Sequence, residues 1–157
     1  MPNSLVVLVV IVLSGVIAVA ANAYYPILKA EEAKRSLASN ARQLLELEAK
    51  RNLEILREYE FYLPENSPLV ALETSAWEVV SKSGSLIGLD PLEIDRVLVA
   101  YSLINRINTL QSKALELSVS TASALGSAKN NRTLFLKLIS INMEKLVPIL
   151  EQVKVGE

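Results

Sequence analysis

The sequence contains no cysteine and no histidine. The side chains left to do chemistry are therefore carboxylates, amides, hydroxyls, lysines, arginines and a few aromatic rings. Thiolate nucleophiles, disulfides, the usual zinc and haem ligands and the imidazole base of a hydrolase triad are all excluded. The most suggestive acidic motif is Asp90-Pro91-Leu92-Glu93, whose two carboxylates invite a metal or acid–base interpretation. The same residues are what a helix start requires. Asp90 fits the N-cap, Pro91 the first helical position, and Glu93 reaches back to complete a capping box. Capping accounts for every residue of the motif, so no catalytic residue, metal ligand or cofactor-binding residue is assigned from it.

Three other features qualify as candidates. Asn105 and Asn108 lie near the apolar face of the helix that follows Pro91 and could form a polar site, but such residues more often make interhelical hydrogen bonds that fix register. Trp77, the only tryptophan, reads as a core anchor, with a protein-interaction contact as the alternative. Asn131-Arg132-Thr133 has the form of a glycosylation acceptor, which matters only outside the cytoplasm and arises often by chance.

Composition narrows the classes further. Sixteen Lys plus Arg against seventeen Asp plus Glu give a formal charge of −1, so no global field exists to hold nucleic acid. Aromatics, Gly and Pro are few, while Leu, Ala, Glu, Lys and Ser abound, which is the usage of helical proteins. No small-molecule substrate or cofactor is indicated.

The strongest signal is apolar. From Leu5 to Tyr25 there is no charge, and the next charged residue is Lys29. These 21 residues at about 1.5 Å each span roughly 31 Å, matching a hydrocarbon core of about 30 Å. Twelve of them are Leu, Ile or Val, each favouring insertion by about 0.3–0.6 kcal/mol. Ala21-Asn22-Ala23 has the small-x-small form that signal peptidase accepts. Met1 to Ser4, however, carry no Lys or Arg, and the apolar run exceeds an ordinary h-region. An uncleaved anchor is expected. Tyr24 and Tyr25 suit the headgroup layer at its end, followed by Lys29, Lys34 and Arg35 as membrane-interface residues. That charge asymmetry predicts the N-terminus outside and the C-terminal domain in the cytoplasm. Ser14, Gly15, Ala18 and Asn22 form a small-residue side that could pack on another transmembrane helix.

The elements that must position everything else follow from the 3.6-residue period. With residues 1–4 as a tail and 5–25 as the span, residues 26–157 form one soluble helical domain. Helices are expected over about 27–62, 69–83, 91–124 and 132–154. The first carries Ala33, Leu37, Ala41, Leu44, Leu45, Ala49, Leu53, Leu56 and Tyr59. Its loose heptad, interrupted at Ala49 and Asn52, favours packing within the domain over an intermolecular coiled coil. Leu63 to Pro68 break it, with Ser67 and Pro68 as the next N-cap and N1. Leu69, Leu72, Ala76, Val79 and Val80 give the short second helix its inner face, and Gly84 fits its C′ position. Ile94, Val97, Leu98, Tyr101, Ile104, Asn108, Gln111 and Leu115 line the third. Asn130 or Asn131 caps the last, where Pro148 should kink or end regular hydrogen bonding. The fold class is all-α: one N-terminal transmembrane helix followed by a three- to four-helix antiparallel bundle.

The pattern Leu72-Glu73-Thr74-Ser75-Ala76-Trp77-Glu78, then Ser83-Gly84, Ala100-Tyr101-Ser102-Leu103-Ile104 and Ile107-Asn108, resembles a loose group of uncharacterised prokaryotic proteins with an N-terminal membrane helix and a Trp-containing helical domain. The resemblance covers about residues 44–108. It implies the same architecture and a prokaryotic or prokaryotic-virus origin, and it carries no site. The function expected is that of a non-enzymatic membrane-anchored structural, assembly or accessory-subunit protein. Its partners would be the lipid bilayer and either further copies or other subunits of a membrane complex. The alternatives are a carboxylate-based metal-binding or enzymatic bundle, which would have to work without the Glu-x-x-His ligands of di-metal bundles, and a stalk-type signalling anchor.

Overall fold

The structure is a computed structural model that describes the backbone of residues 4–60, 70–120 and 127–153, and the side chains of 10–58, 70–118 and 131–153. Among the described residues the fold is all-helical. Four α-helices follow in order: α1 Ser4–Glu60, α2 Ser75–Lys82, α3 Pro91–Ser120 and α4 Ser127–Gln152, with a 3-10 turn at Ser85–Gly88 between α2 and α3. The chain divides into two compact units, Met1–Leu37 and Ala38–Glu157.

The first unit is the N-terminal part of α1. From Val10 to Leu37 every described side chain is exposed, including Ile11, Val16 and Ile17 at 61–66%. This helix is long and apolar enough to cross a membrane, by length and composition. The expected span and the helix expected over 27–62 are one element, because α1 continues through Pro26. Proline deletes one N–H donor, but its fixed φ is close to helical, so a long helix with regular turns on both sides tolerates it.

The second unit holds the core. On α1 the buried row is Ala38, Ala41, Leu45, Ala49, Leu53 and Leu56, joined by two polar residues, Glu48 and Asn52. Val97, Ala100, Tyr101, Ile104 and Ile107 come from α3, and Ile139, Met143, Leu146 and Leu150 from α4. Steps of three and four residues along each helix keep one stripe inward. The alanines on α1 let neighbouring side chains approach the backbone. Leu56, Ile104, Ile107, Ile139, Leu146 and Leu150 are less than or about 2% exposed, and each contributes about 1.5–3 kcal/mol relative to exposure in water. Helices α3 and α4 pack directly on one another.

Several boundaries and faces differ from expectation, each for a local reason. The second helix begins at Ser75 rather than near residue 69, and the described residues before it, 70–74, are not helical. The backbone groups of Leu72 and Glu73 are taken by asparagine side chains, which offer a partner that competes with the helix. Leu72 is buried from this non-helical segment. Val80 is buried on α2, but Val79 is 58% exposed. The breaker at 63–68 and the Ser67-Pro68 start lie outside the described residues. Gly84 adopts φ +72° just after α2, the left-handed C′ conformation that a side chain would penalise by about 1 kcal/mol.

On α3, Leu98 and Leu115 are 47% and 58% exposed, because the buried arc is narrower than the apolar pattern and runs through Ala100, Ile107 and Ala114 instead. Helix α4 starts at Ser127, ahead of the asparagines expected to cap it, and stays helical past Pro148 to Gln152. Ala128 and Lys129 are good helix formers, and Asn131 is an exposed residue within the helix. The expected end of α3 near residue 124 lies outside the described residues.

Gln111 sits in the core at 4% exposure, and among the described residues neither its amide oxygen nor its nitrogen has a hydrogen-bond partner. Buried unpaired polar atoms cost about 1–3 kcal/mol each. Gln111→Leu is therefore expected to stabilise the folded protein by about 1–2 kcal/mol and to raise Tm by a few degrees. Thermal unfolding followed by circular dichroism in mild detergent measures this; a lower Tm would mean that the amide is satisfied in solution.

Candidate functional site

The densest polar cluster is built where α1, the extended segment before α2, α2 itself and α3 meet. Glu48 is at its centre, 3% exposed. Its Oε2 accepts from Ser75 Oγ at 3.0 Å and from the Ala76 backbone N–H at 2.6 Å, and its Oε1 accepts from the Trp77 N–H at 3.4 Å and from the Tyr101 hydroxyl. Those two N–H groups are orphan donors of the first turn of α2, and Thr74, the N-cap residue, makes no side-chain cap bond. Glu48 thus caps α2 from another helix, with the helix dipole favouring its charge. Among the described residues none of the ion pairs involves Glu48. Hydrogen bonds alone hold this buried carboxylate. Trp77 is half-buried and stacks on Tyr101, with ring centroids 5.0 Å apart and planes at 15°. The Tyr101 hydroxyl has its pKa pushed above the ordinary value by burial first, then by its hydrogen bond to Glu48 and the charge there. It stays protonated as a donor.

One turn further along, two asparagines grip the extended segment by its backbone. Asn52 donates to the Glu73 carbonyl at 3.0 Å and accepts from the Glu73 N–H at 2.7 Å. Asn108 does the same for Leu72, at 2.9 and 2.8 Å. Each amide imitates one residue of a neighbouring β-strand, with donor and acceptor side by side. Arg51 adds an exposed ion pair to Glu73 at 3.3 Å. Asn105, the other candidate amide, is exposed, and its backbone carbonyl accepts from the Thr109 hydroxyl.

The motif Asp90-Pro91-Leu92-Glu93 forms the start of α3. Asp90 Oδ1 accepts from the Leu92 N–H and Glu93 Oε2 accepts from the Asp90 N–H, both at 2.8 Å. Glu93 has a second duty that the motif does not reveal. Arg42 on α1 donates to both of its oxygens, at 2.9 and 2.8 Å. This bidentate pair holds the Glu93 carboxyl below its ordinary value, aided by the Asp90 N–H and opposed by partial burial.

The anchor residues are all in the first unit. Tyr24 and Tyr25 are 65% and 66% exposed, and Lys29, Lys34 and Arg35 are exposed, Arg35 facing Glu31 at 3.7 Å. Ser14, Gly15, Ala18 and Asn22 are exposed on α1. Ser14 Oγ donates to the Ile11 carbonyl at 2.9 Å, and a Cβ added at Gly15 would meet nothing within 4 Å.

Chemically, the Glu48 cluster is a joint. Its oxygens carry four donors, and the asparagines have donor and acceptor both engaged with the chain's own backbone. Among the described residues no group of three or more carboxylates is placed to hold a metal ion. An open groove of about 500 Å³, lined by Glu73, Thr74, Ser75, Glu78, Val79 and Lys82, lies along α2. No known family model, curated protein or solved structure matches the chain.

Two measurements check this joint. Glu48→Ala should cost about 3 kcal/mol or more, because it leaves the Tyr101 hydroxyl and two N–H groups unpaired in the interior, whereas Glu48→Gln should cost less by keeping one acceptor oxygen. Denaturant unfolding read by Trp77 emission gives both values; equal losses would mean that charge, not hydrogen bonding, is what matters. For the Arg42–Glu93 pair, both side chains are about a third exposed, so solvent screening limits its contribution to about 1 kcal/mol. Because the folded carboxyl lies below its ordinary value near 4.5, that contribution is complete above this value and fades as pH falls through the lowered one. Stability of Glu93→Gln should therefore fall less steeply than wild type below about pH 4.5.

Proposed function

We propose that the protein is a non-enzymatic, single-pass membrane-anchored protein that displays a helical domain to copies of itself or to other subunits of a membrane complex. The observation that carries this is the contrast along α1. Among the described residues, its apolar stretch from Val10 buries nothing within the chain, whereas from Ala38 onward the same helix supplies a full core row. The seven exposed Val, Ile and Leu residues between Val10 and Val19 would be an aggregation liability in water; in a bilayer they belong to a span. In this reading residues 5–25 cross the membrane, Tyr24 and Tyr25 sit in the headgroup layer, and Lys29, Lys34 and Arg35 hold the following segment on the cytoplasmic side. The domain is an antiparallel bundle of the second part of α1 with α3 and α4, strapped by the segment around α2. Polar side chains committed to the chain's own backbone, and the scarcity of grouped carboxylates, support a structural rather than catalytic role.

Three readouts test it on the full chain. Val12→Arg with Val16→Arg should release the protein from carbonate-washed membranes, since each arginine near mid-span costs about 2.5–3.5 kcal/mol; unchanged retention would remove the span. The sequence lacks cysteine, so single cysteines report orientation cleanly. Asn3→Cys should react with an impermeant maleimide in intact cells and Lys137→Cys only after permeabilisation, and the reverse result would invert the topology. In mild detergent the mass should exceed one chain plus its micelle, through self-association or a co-purifying subunit. A strictly monomeric particle would sink the assembly role.

A further inference from the structure

We draw no further inference here: the strongest candidate, the exposed aliphatic row of Leu44 and Leu47 on the outer surface of α1, is a short unpartnered apolar face, and nothing in the structure shows what covers it.

Discussion

A buried carboxylate, in no ion pair among the described residues, is the constraint on which the second unit depends. Glu48 has given up water and received in return two backbone N–H groups, a serine hydroxyl and a tyrosine hydroxyl. A buried charge is tolerable only when its hydrogen-bonding capacity is met, and the penalty for leaving it unmet is several kilocalories per mole. Every element that contributes a donor is therefore held to one position. Helix α2 must begin at Ser75, the Tyr101 hydroxyl must point at α1, and the stacked Trp77 ring must follow its own backbone.

The neighbouring pins repeat the logic at other heights. Arg42 meets Glu93, Glu48 meets Tyr101, and Asn52 and Asn108 close on consecutive residues of one extended segment. Apolar side chains such as Leu45, Leu53, Ile104 and Ile107 supply most of the favourable burial, but they are weakly directional: a helix sliding by one turn would still find leucine against isoleucine. The polar pins do not survive such a slip. Slid by a turn, Asn108 would lose both bonds to Leu72 and Glu48 would lose the start of α2. Burial supplies the driving force, and the pins select one register among arrangements that burial alone would leave close in energy.

Much of this was legible in the sequence. The all-helical class, the apolar stretch, the capping box at Asp90 and Glu93 and the left-handed Gly84 each depend on residues within a few positions of one another, so local chemistry is enough to find them. The place of Asn108 on an apolar face marked it as a hydrogen-bonding residue, although its partner is the backbone of the non-helical Leu72 and not another helix. What escaped were partners distant along the chain. The signal for Glu48 is its place in the row Ala38, Ala41, Leu45, Glu48, Asn52, since a charge at an inward position demands a donor somewhere. Asn52 interrupts the heptad, yet it is fully buried in that row because its amide holds the Glu73 backbone. The residues before α2 carry helical spacing, but the asparagine bonds from α1 and α3 compete for their backbone, and they are not helical. Local pattern cannot reveal a competitor contributed by residues 21 and 36 positions away.

The treatment of Gln111 clarifies what the other polar residues are for. It is buried as deeply as Glu48 and lies on the same inner side of α3 as Tyr101 and Asn108, yet both of its amide atoms are unpaired. Position in the core, then, does not by itself produce satisfied bonds. Glu48, Asn52 and Asn108 are satisfied because the extended segment and α2 bring irregular backbone, with free N–H and C=O groups, against them. Regular helix has no free N–H groups to offer, its donors being used internally, although its carbonyls can accept a second bond, as that of Leu138 does from the buried Asn142. The non-helical strap is thus what makes a polar core affordable in this unit, and its bonding explains why the residues that looked most able to do chemistry are occupied in holding the chain itself.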